Sequence, residues 1–175
     1  DLSTTVRTSG VLSLAVSPDG LTLLSGHNDG IRFWDVSVFM ETGPGWTRDI
    51  LRLREKGHVR TIQPPVVLAW SKEGRAAYAG PDQALRLVDA SGGTETPLAP
   101  PQPGGVTALA FSPDAQLLVS VGKDPAARLW DVKNLRLKAL IKGHRSALRA
   151  AAFSPDGRHL ALGGDDRQLH LVRMA

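Results

Sequence analysis

Cysteine is absent from the 175 residues, which excludes a disulfide framework and any thiolate metal cage. No apolar run approaches the ~20 residues that a bilayer-crossing helix requires, so membrane insertion is not expected. No amino-terminal signal pattern is visible from Asp1 onward, and with no disulfide chemistry to suggest secretion, a cytoplasmic setting is the working expectation. Helical periodicity is missing too, because no stretch repeats its apolar residues every three to four positions for long. Aromatic residues make up only 5% of the chain, with a single tyrosine. The phosphate-binding glycine loop is lacking, since Gly104-Gly105 and Gly163-Gly164 have neither the lysine nor a following helix.

Turn residues are abundant instead: 18 glycines and 12 prolines punctuate a chain that is 42% hydrophobic and 22% charged. That composition fits a folded domain that reverses direction often. The segment Leu14-Ala15-Val16-Ser17-Pro18-Asp19-Gly20 returns as Leu109 to Ala115, as Ala151 to Gly157, and more loosely as Leu68 to Gly74. The four serines, Ser17, Ser71, Ser112 and Ser154, are separated by 54, 41 and 42 residues. Each copy leads to a second apolar run: Ile31 to Val36, Leu85 to Ala90, Ala127 to Val132 and Leu169 to Met174. The pattern predicts short strands joined by β-turns, with proline presetting the turn and glycine accepting its left-handed position. Strands this apolar need cover on both faces. Stacking such sheets around an axis supplies it, which predicts an all-β propeller.

Ser-Pro-Asp-Gly turns, the dipeptides Trp34-Asp35 and Trp130-Asp131, and the pairs Gly57-His58 and Gly143-His144 together resemble the WD-repeat family. The resemblance covers essentially the whole chain and implies four-stranded antiparallel blades, each entered through a Gly-His loop. The units are expected at approximately 9–54, 66–98, 106–141 and 147–173 within a single module, 1–175. The family also implies a hydrogen-bonded set of Trp, Ser or Thr, His and Asp in each blade. By position the first unit offers Trp34 and Ser25 with Arg7 at the histidine place. The second offers Asp82 with His58, but Val88 and Tyr78 fill the other places. The third has Trp130, Ser120 and Asp124, with Gln102 for histidine. The fourth has His144 and Asp166, with Val172 for tryptophan and Leu162 for serine. No unit carries the whole set, which predicts that apolar packing between blades contributes more than this network.

The fourth unit lacks a recognisable outer strand after Met174, while Leu2 to Arg7 is rich in β-formers. Residues 1–8 are therefore expected to supply an outer strand against Gln168–Arg173. Three arrangements fit: a four-bladed ring, part of a larger propeller, or two chains sharing eight blades. A partial module ranks first and blade sharing second. The long first interval reads as an extended loop around Phe39 to Trp46, followed by an outer strand over Asp49 to Arg54. Trp46 is a candidate partner anchor, although the nearer reading folds it back over its own blade.

Serines and histidines here are explained by turns and loops, and no nucleophile, base and acid converge. His159 and His170 could meet across a sheet, but two imidazoles are a poor metal site. No enzyme, cofactor or metal is expected. The net charge is +4, and its most uneven stretch runs over 133–149: Lys133, Arg136, Lys138, Lys142, Arg145 and Arg149, with no acid between. This strip could hold an acidic protein or another polyanion. The plainer reading is edge protection of an outer strand, and without interleaved aromatics nucleic acid is disfavoured. The expected function is a non-enzymatic protein-interaction scaffold within a larger assembly or multidomain chain. A channel enzyme is the remote alternative. The resemblance implies that partners use the face carrying Arg60, Gln83, Lys123, Arg145 and Arg167.

Overall fold

Each Ser-x-x-Gly segment closes a turn that joins the innermost strand of a sheet to the next. Ser17 N–H bonds the Thr22 carbonyl at 2.8 Å, and its hydroxyl accepts from Thr22 N–H at 2.8 Å and donates to the Asp19 carboxylate. Asp19 in turn accepts from Leu21 N–H at 2.9 Å. Ser112 and Ser154 repeat the arrangement with Asp114 and Asp156. The fourth turn position is left-handed in every copy, at Gly20, Gly74, Ala115 and Gly157, with φ of 73°, 79°, 63° and 71°.

These turns organise fifteen strands into four antiparallel sheets in a computed structural model that describes residues 4–89 and 94–174, the Arg48 side chain excepted. The first blade holds β1 (Ser13–Val16), β2 (Thr22–His27), β3 (Gly30–Gly43) and β4 (Trp46–Val59). The second holds β5 (Val67–Trp70), β6 (Arg75–Ala79), β7 (Leu85–Asp89) and β8 (Glu95–Leu98). The third holds β9 (Val106–Phe111), β10 (Leu117–Gly122), β11 (Ala127–Asp131) and β12 (Arg136–Ile141). The fourth holds β13 (Leu148–Phe153), β14 (His159–Gly164) and β15 (Leu169–Arg173). Neighbouring inner strands touch in succession, β1 with β5, β5 with β9 and β9 with β13. The result is an arc of a partial β-propeller.

The core lies between blades, as expected of sheets covered on both faces. Leu24, Ile31 and Phe33 of the first blade pack on Leu68, Tyr78 and Val88 of the second. Leu85, Leu87 and Leu98 meet Leu109, Leu118 and Trp130 of the third. Val119, Val121 and Leu129 meet Leu148, Leu160 and Leu162 of the fourth. At the ends of the arc Leu14 and Val16 of β1, and Leu169 and Leu171 of β15, remain exposed.

Three sequence expectations are corrected here. The stretch Phe39 to Trp46 is no loop: β3 and β4 pair without interruption from Trp34↔Glu55 to Gly43↔Trp46. The first sheet consequently runs to Val59 rather than 54. Pro44-Gly45 turns this hairpin, with Gly45 at φ 81°, as a proline followed by a left-handed glycine permits. Residues 4–8 form no strand, and the fourth blade has three strands; Leu2 and Ser3 lie outside the described residues. Thr8 and Ser9 are bound instead to the first blade, where Arg32 donates to both hydroxyls at 3.0 and 3.3 Å and Ser9 bonds His27 at 3.0 Å.

The serine-aspartate turns also give the fold an acid dependence. Hydrogen bonds from Ser17, Ser112 and Ser154, and then from backbone amides, hold Asp19, Asp114 and Asp156 below the usual carboxylate range. A lowered folded value means stability that is present above the unfolded carboxylate value of about 3.9 and lost as pH falls through the still lower folded one. Urea midpoints compared at neutral and acid pH should therefore converge between wild type and a variant carrying Asp19→Asn, Asp114→Asn and Asp156→Asn. A constant gap between them would show that these carboxylates carry none of the dependence.

Candidate docking face and its polar tethers

The turns between second and third strands all lie at one end of the arc, and their aspartates have a recurring use. Asp29 binds Arg32 at 3.1 Å, Asp82 binds Arg86 bidentately, and Asp124 binds Arg128 at 2.7 Å. Arg32, Arg86 and Arg128 occupy the same place, the second residue of the apolar run in the third strand. A guanidinium fork so close to a turn carboxylate captures it. In the fourth blade that place is His170, which cannot reach out in the same way. Asp166 is then free to hold His144, at 2.9 Å to Nδ1, and to accept Arg145 N–H at 3.0 Å.

This exchange places the candidate repeat residues. His144 and Asp166 are together, both nearly buried. Among the described residues His144 Nε2 meets no hydrogen-bond partner, because Leu162 stands where a serine would receive it. His170 stacks on His144 with ring centroids 4.0 Å apart, so it meets His144 rather than His159, which pairs with Arg173. Gly57-His58 is not a loop but the end of β4. His58 lies 3.8 Å from Asp29, and Asp82, expected beside it, is taken by Arg86. Asp35 binds Lys56 at 3.0 Å, and Asp131 caps the β11–β12 turn through Asn134 N–H at 2.9 Å.

Tryptophan tethers survive in two blades with substituted partners. Trp130 donates to Ser120 at 2.9 Å, and Ser120 donates to Gln102 at 2.6 Å. Gln102 thus does the accepting that a histidine would do. In the first blade Trp34 donates to Ser25 at 2.7 Å, and Ser25 bonds His27 Nε2 at 2.7 Å. His27, fully buried, supplies the imidazole from two residues along its own strand; Arg7 does not. Sequence reasoning passed over it because the family pattern places the histidine on the preceding loop. Its only signal was a histidine inside an otherwise apolar strand.

Blade two replaces the set altogether. Tyr78, in the serine place and fully buried, donates to Glu95 at 2.8 Å. Glu95 accepts Ile62 N–H at 3.0 Å and lies 3.8 Å from Arg86. Burial, followed by the Glu95 carboxylate, pushes the Tyr78 hydroxyl far up from its ordinary value.

With the turn acids engaged by neighbouring side chains, the same end of the arc presents cations. Arg60, Lys123, Lys142, Arg145 and Arg167 are exposed and, among the described residues, none enters an ion pair. Arg149 is different: Asp165 holds it at 2.6 Å, so the strip over 133–149 is not unopposed. Lys133, Arg136 and Lys138 lie along the outer edge of the third blade, apart from Lys142 and Arg145. Lys133 also borders a cavity of about 320 Å³ between the second and third blades, with Arg75, Thr94 and Thr96. Among the described residues no three His, Asp or Glu side chains come together as a metal site.

The family description "WD domain, G-beta repeat" matches residues 2–35, 99–131 and 135–172. The chain belongs to the WD-repeat family. The unmatched stretch contains the arm of the first blade and nearly all of the second, where tryptophan, serine and histidine have all been replaced. Among curated proteins it is similar to Protein HIR1 of Phaeosphaeria nodorum, 26% identical over 177 residues. Protein hir-1 of Neurospora crassa is 27% identical over 187 residues, and Protein HIR1 of Kluyveromyces lactis 26% over 191. Each alignment covers 93% of this chain but only 16%, 18% and 22% of those proteins. The WD-repeat chain therefore spans about a fifth of the length of the curated relatives it matches.

Proposed function

We propose that this WD-repeat chain is a non-enzymatic docking platform within a larger polypeptide or assembly, and that partners engage the end of the arc bearing the second-to-third-strand turns. The observation that carries the reading is the division of charge there. Asp29, Asp82, Asp124, Asp165 and Asp166 are each engaged by a neighbouring basic side chain, while Arg60, Lys123, Arg145 and Arg167 are exposed and enter no ion pair among the described residues. Short turns and loops anchored by paired strands carry these side chains, so a partner meets a largely preformed surface. The much greater length of the HIR1 relatives supports membership of a larger chain.

The test is purification of the protein with its partners from its own cells, with crosslinks mapped by mass spectrometry. Crosslinks are expected at Lys123 and Lys142. Reversing two exposed charges, Lys123→Glu with Arg167→Glu, should leave the melting temperature unchanged and lower partner affinity about tenfold. Undiminished partner binding, or crosslinks confined to the opposite end of the arc, would overturn the reading.

A further inference from the structure

We propose that the free outer edge of β4 is a second docking element, one that receives an extended acidic segment of a partner protein as an added strand. β4 is fourteen residues long, against four in β8 and six in β12, the outer strands of the next two blades. Among the described residues its one strand partner is β3. Beyond Asp35↔Arg54 the two strands leave the blade as an arm, since β2 reaches no further than Asp35. A two-stranded hairpin alone is marginal in water and gains from a third strand. This arm also leaves Val38, Phe39, Met40 and Trp46 exposed, with the Trp46 indole lying across Gly43.

The two edges of the arm differ in charge. On β3 the stretch Val36 to Glu41 holds no cation. On β4, Arg52 and Arg54 are two residues apart and so belong to one face, while Leu51 and Leu53 belong to the other. Arg52 lies over the Phe39 ring at 5.0 Å, and neither Arg52 nor Arg54 enters an ion pair among the described residues. Leu51 and Leu53 pair with Val38 and Val36 to make an apolar patch on the opposite face, bounded by Asp49 and Glu55. A strand that alternates carboxylate with aliphatic side chains complements both faces at once.

A second copy of this chain does not. Two β4 strands related by a two-fold axis must pair residues of the same face. Central registers of this kind then set like charges directly opposite, among them Arg52 on Arg54 or Asp49 on Glu55. The edge therefore resists self-association while remaining open to an acidic strand.

The probe is a labelled peptide of alternating glutamate and valine, titrated against the intact chain by fluorescence anisotropy, with amide exchange measured alongside. Binding is expected to protect amides within 46–59. Arg52→Glu with Arg54→Glu should weaken it at least about tenfold, and the same variant should gain affinity for the lysine-valine peptide. That exchange of preference would not follow from misfolding. The proposal is overturned by equal affinity for wild type and variant, by protection elsewhere, by preference for an oligothymidylate at these residues, or by wild-type dimerisation that the reversal abolishes. The Lys123→Glu, Arg167→Glu variant should bind the peptide normally, so failure here is separable from failure of the turn-bearing face.

Discussion

Replacing Trp130 by alanine is expected to cost about 3–5 kcal/mol of stability, the range for removing a large aromatic from a close-packed core. The indole is fully buried in the cluster that joins the second and third blades, beside Leu109, Leu118 and Val132. Its N–H is satisfied by Ser120, so truncation both opens a cavity between two sheets and removes the donor that Ser120 faces. Trp130→Phe should be milder, about 1–2 kcal/mol, because most of the area is retained and one neutral hydrogen bond is lost. Val172 fills the equivalent place in the fourth blade and is only part-buried against the third, so Val172→Ala should cost about 1–2 kcal/mol. Urea unfolding of all three variants checks the order. A loss below about 1 kcal/mol for Trp130→Ala would mean that the indole contributes little to the inter-blade core.

What was legible in the sequence was whatever depends on a local conformational demand. Ser-Pro-Asp-Gly needs its serine, acid and left-handed glycine at fixed offsets, so the turns, and with them the strands they join, could be placed from residue order. Near-continuous apolar runs in the inner strands announced that cover must come from neighbouring blades, and the inter-blade clusters are that cover. Even the second unit, with Ser71-Lys72-Glu73-Gly74 for its turn, forms a complete four-stranded blade. Its Ser71 hydroxyl still accepts Arg75 N–H at 3.0 Å.

Partners chosen by competition were not legible. Asp82 was assigned to His58 by position, yet in each of the first three blades an arginine on the third strand lies within reach of the turn aspartate and captures it. Reading Asp82 with His58 failed for that reason. Gly57-His58 carried the signature of a loop, but the alternating Ile50, Leu51, Arg52, Leu53, Arg54 continued as strand straight through it, because cross-strand pairing with Ile31 to Phe33 satisfies the backbone there. The arm escaped notice in the same way: Phe39 to Gly43 reads as an extended loop carrying apolar side chains only until its pairing with Trp46 to Ile50 is considered. In the basic strip, the acid that balances Arg149 comes from a different strand, and no inspection of 133–149 alone reveals Asp165.

Glu95 is the residue whose loss should rival that of Trp130, and nothing in its local sequence, Thr94-Glu95-Thr96, marks it. Its carboxylate is largely buried and accepts from Tyr78 and from Ile62 N–H, with Arg86 close by. Glu95→Ala would leave a buried hydroxyl unpaired, and would leave Arg86, itself buried, with Asp82 alone. Removing one partner from such a buried set typically costs about 3–5 kcal/mol. Glu95→Gln keeps an acceptor for Tyr78 but not the charge facing Arg86, and about 1–2 kcal/mol is expected. Because Tyr78 is the only tyrosine in the chain, its ionisation can be followed directly by phenolate absorbance. Its folded value lies above the unfolded value of about 10, so its contribution to stability is complete below that pH and is lost as pH rises through the folded value. In the wild type, phenolate should therefore appear only together with loss of folded structure by circular dichroism. In Glu95→Gln, where the negative neighbour is gone, ionisation should begin at lower pH than in the wild type. Coincident titration curves for the two proteins would show that Glu95 does not govern this hydroxyl, and a loss below about 1 kcal/mol in Glu95→Ala would show that the second blade does not depend on it.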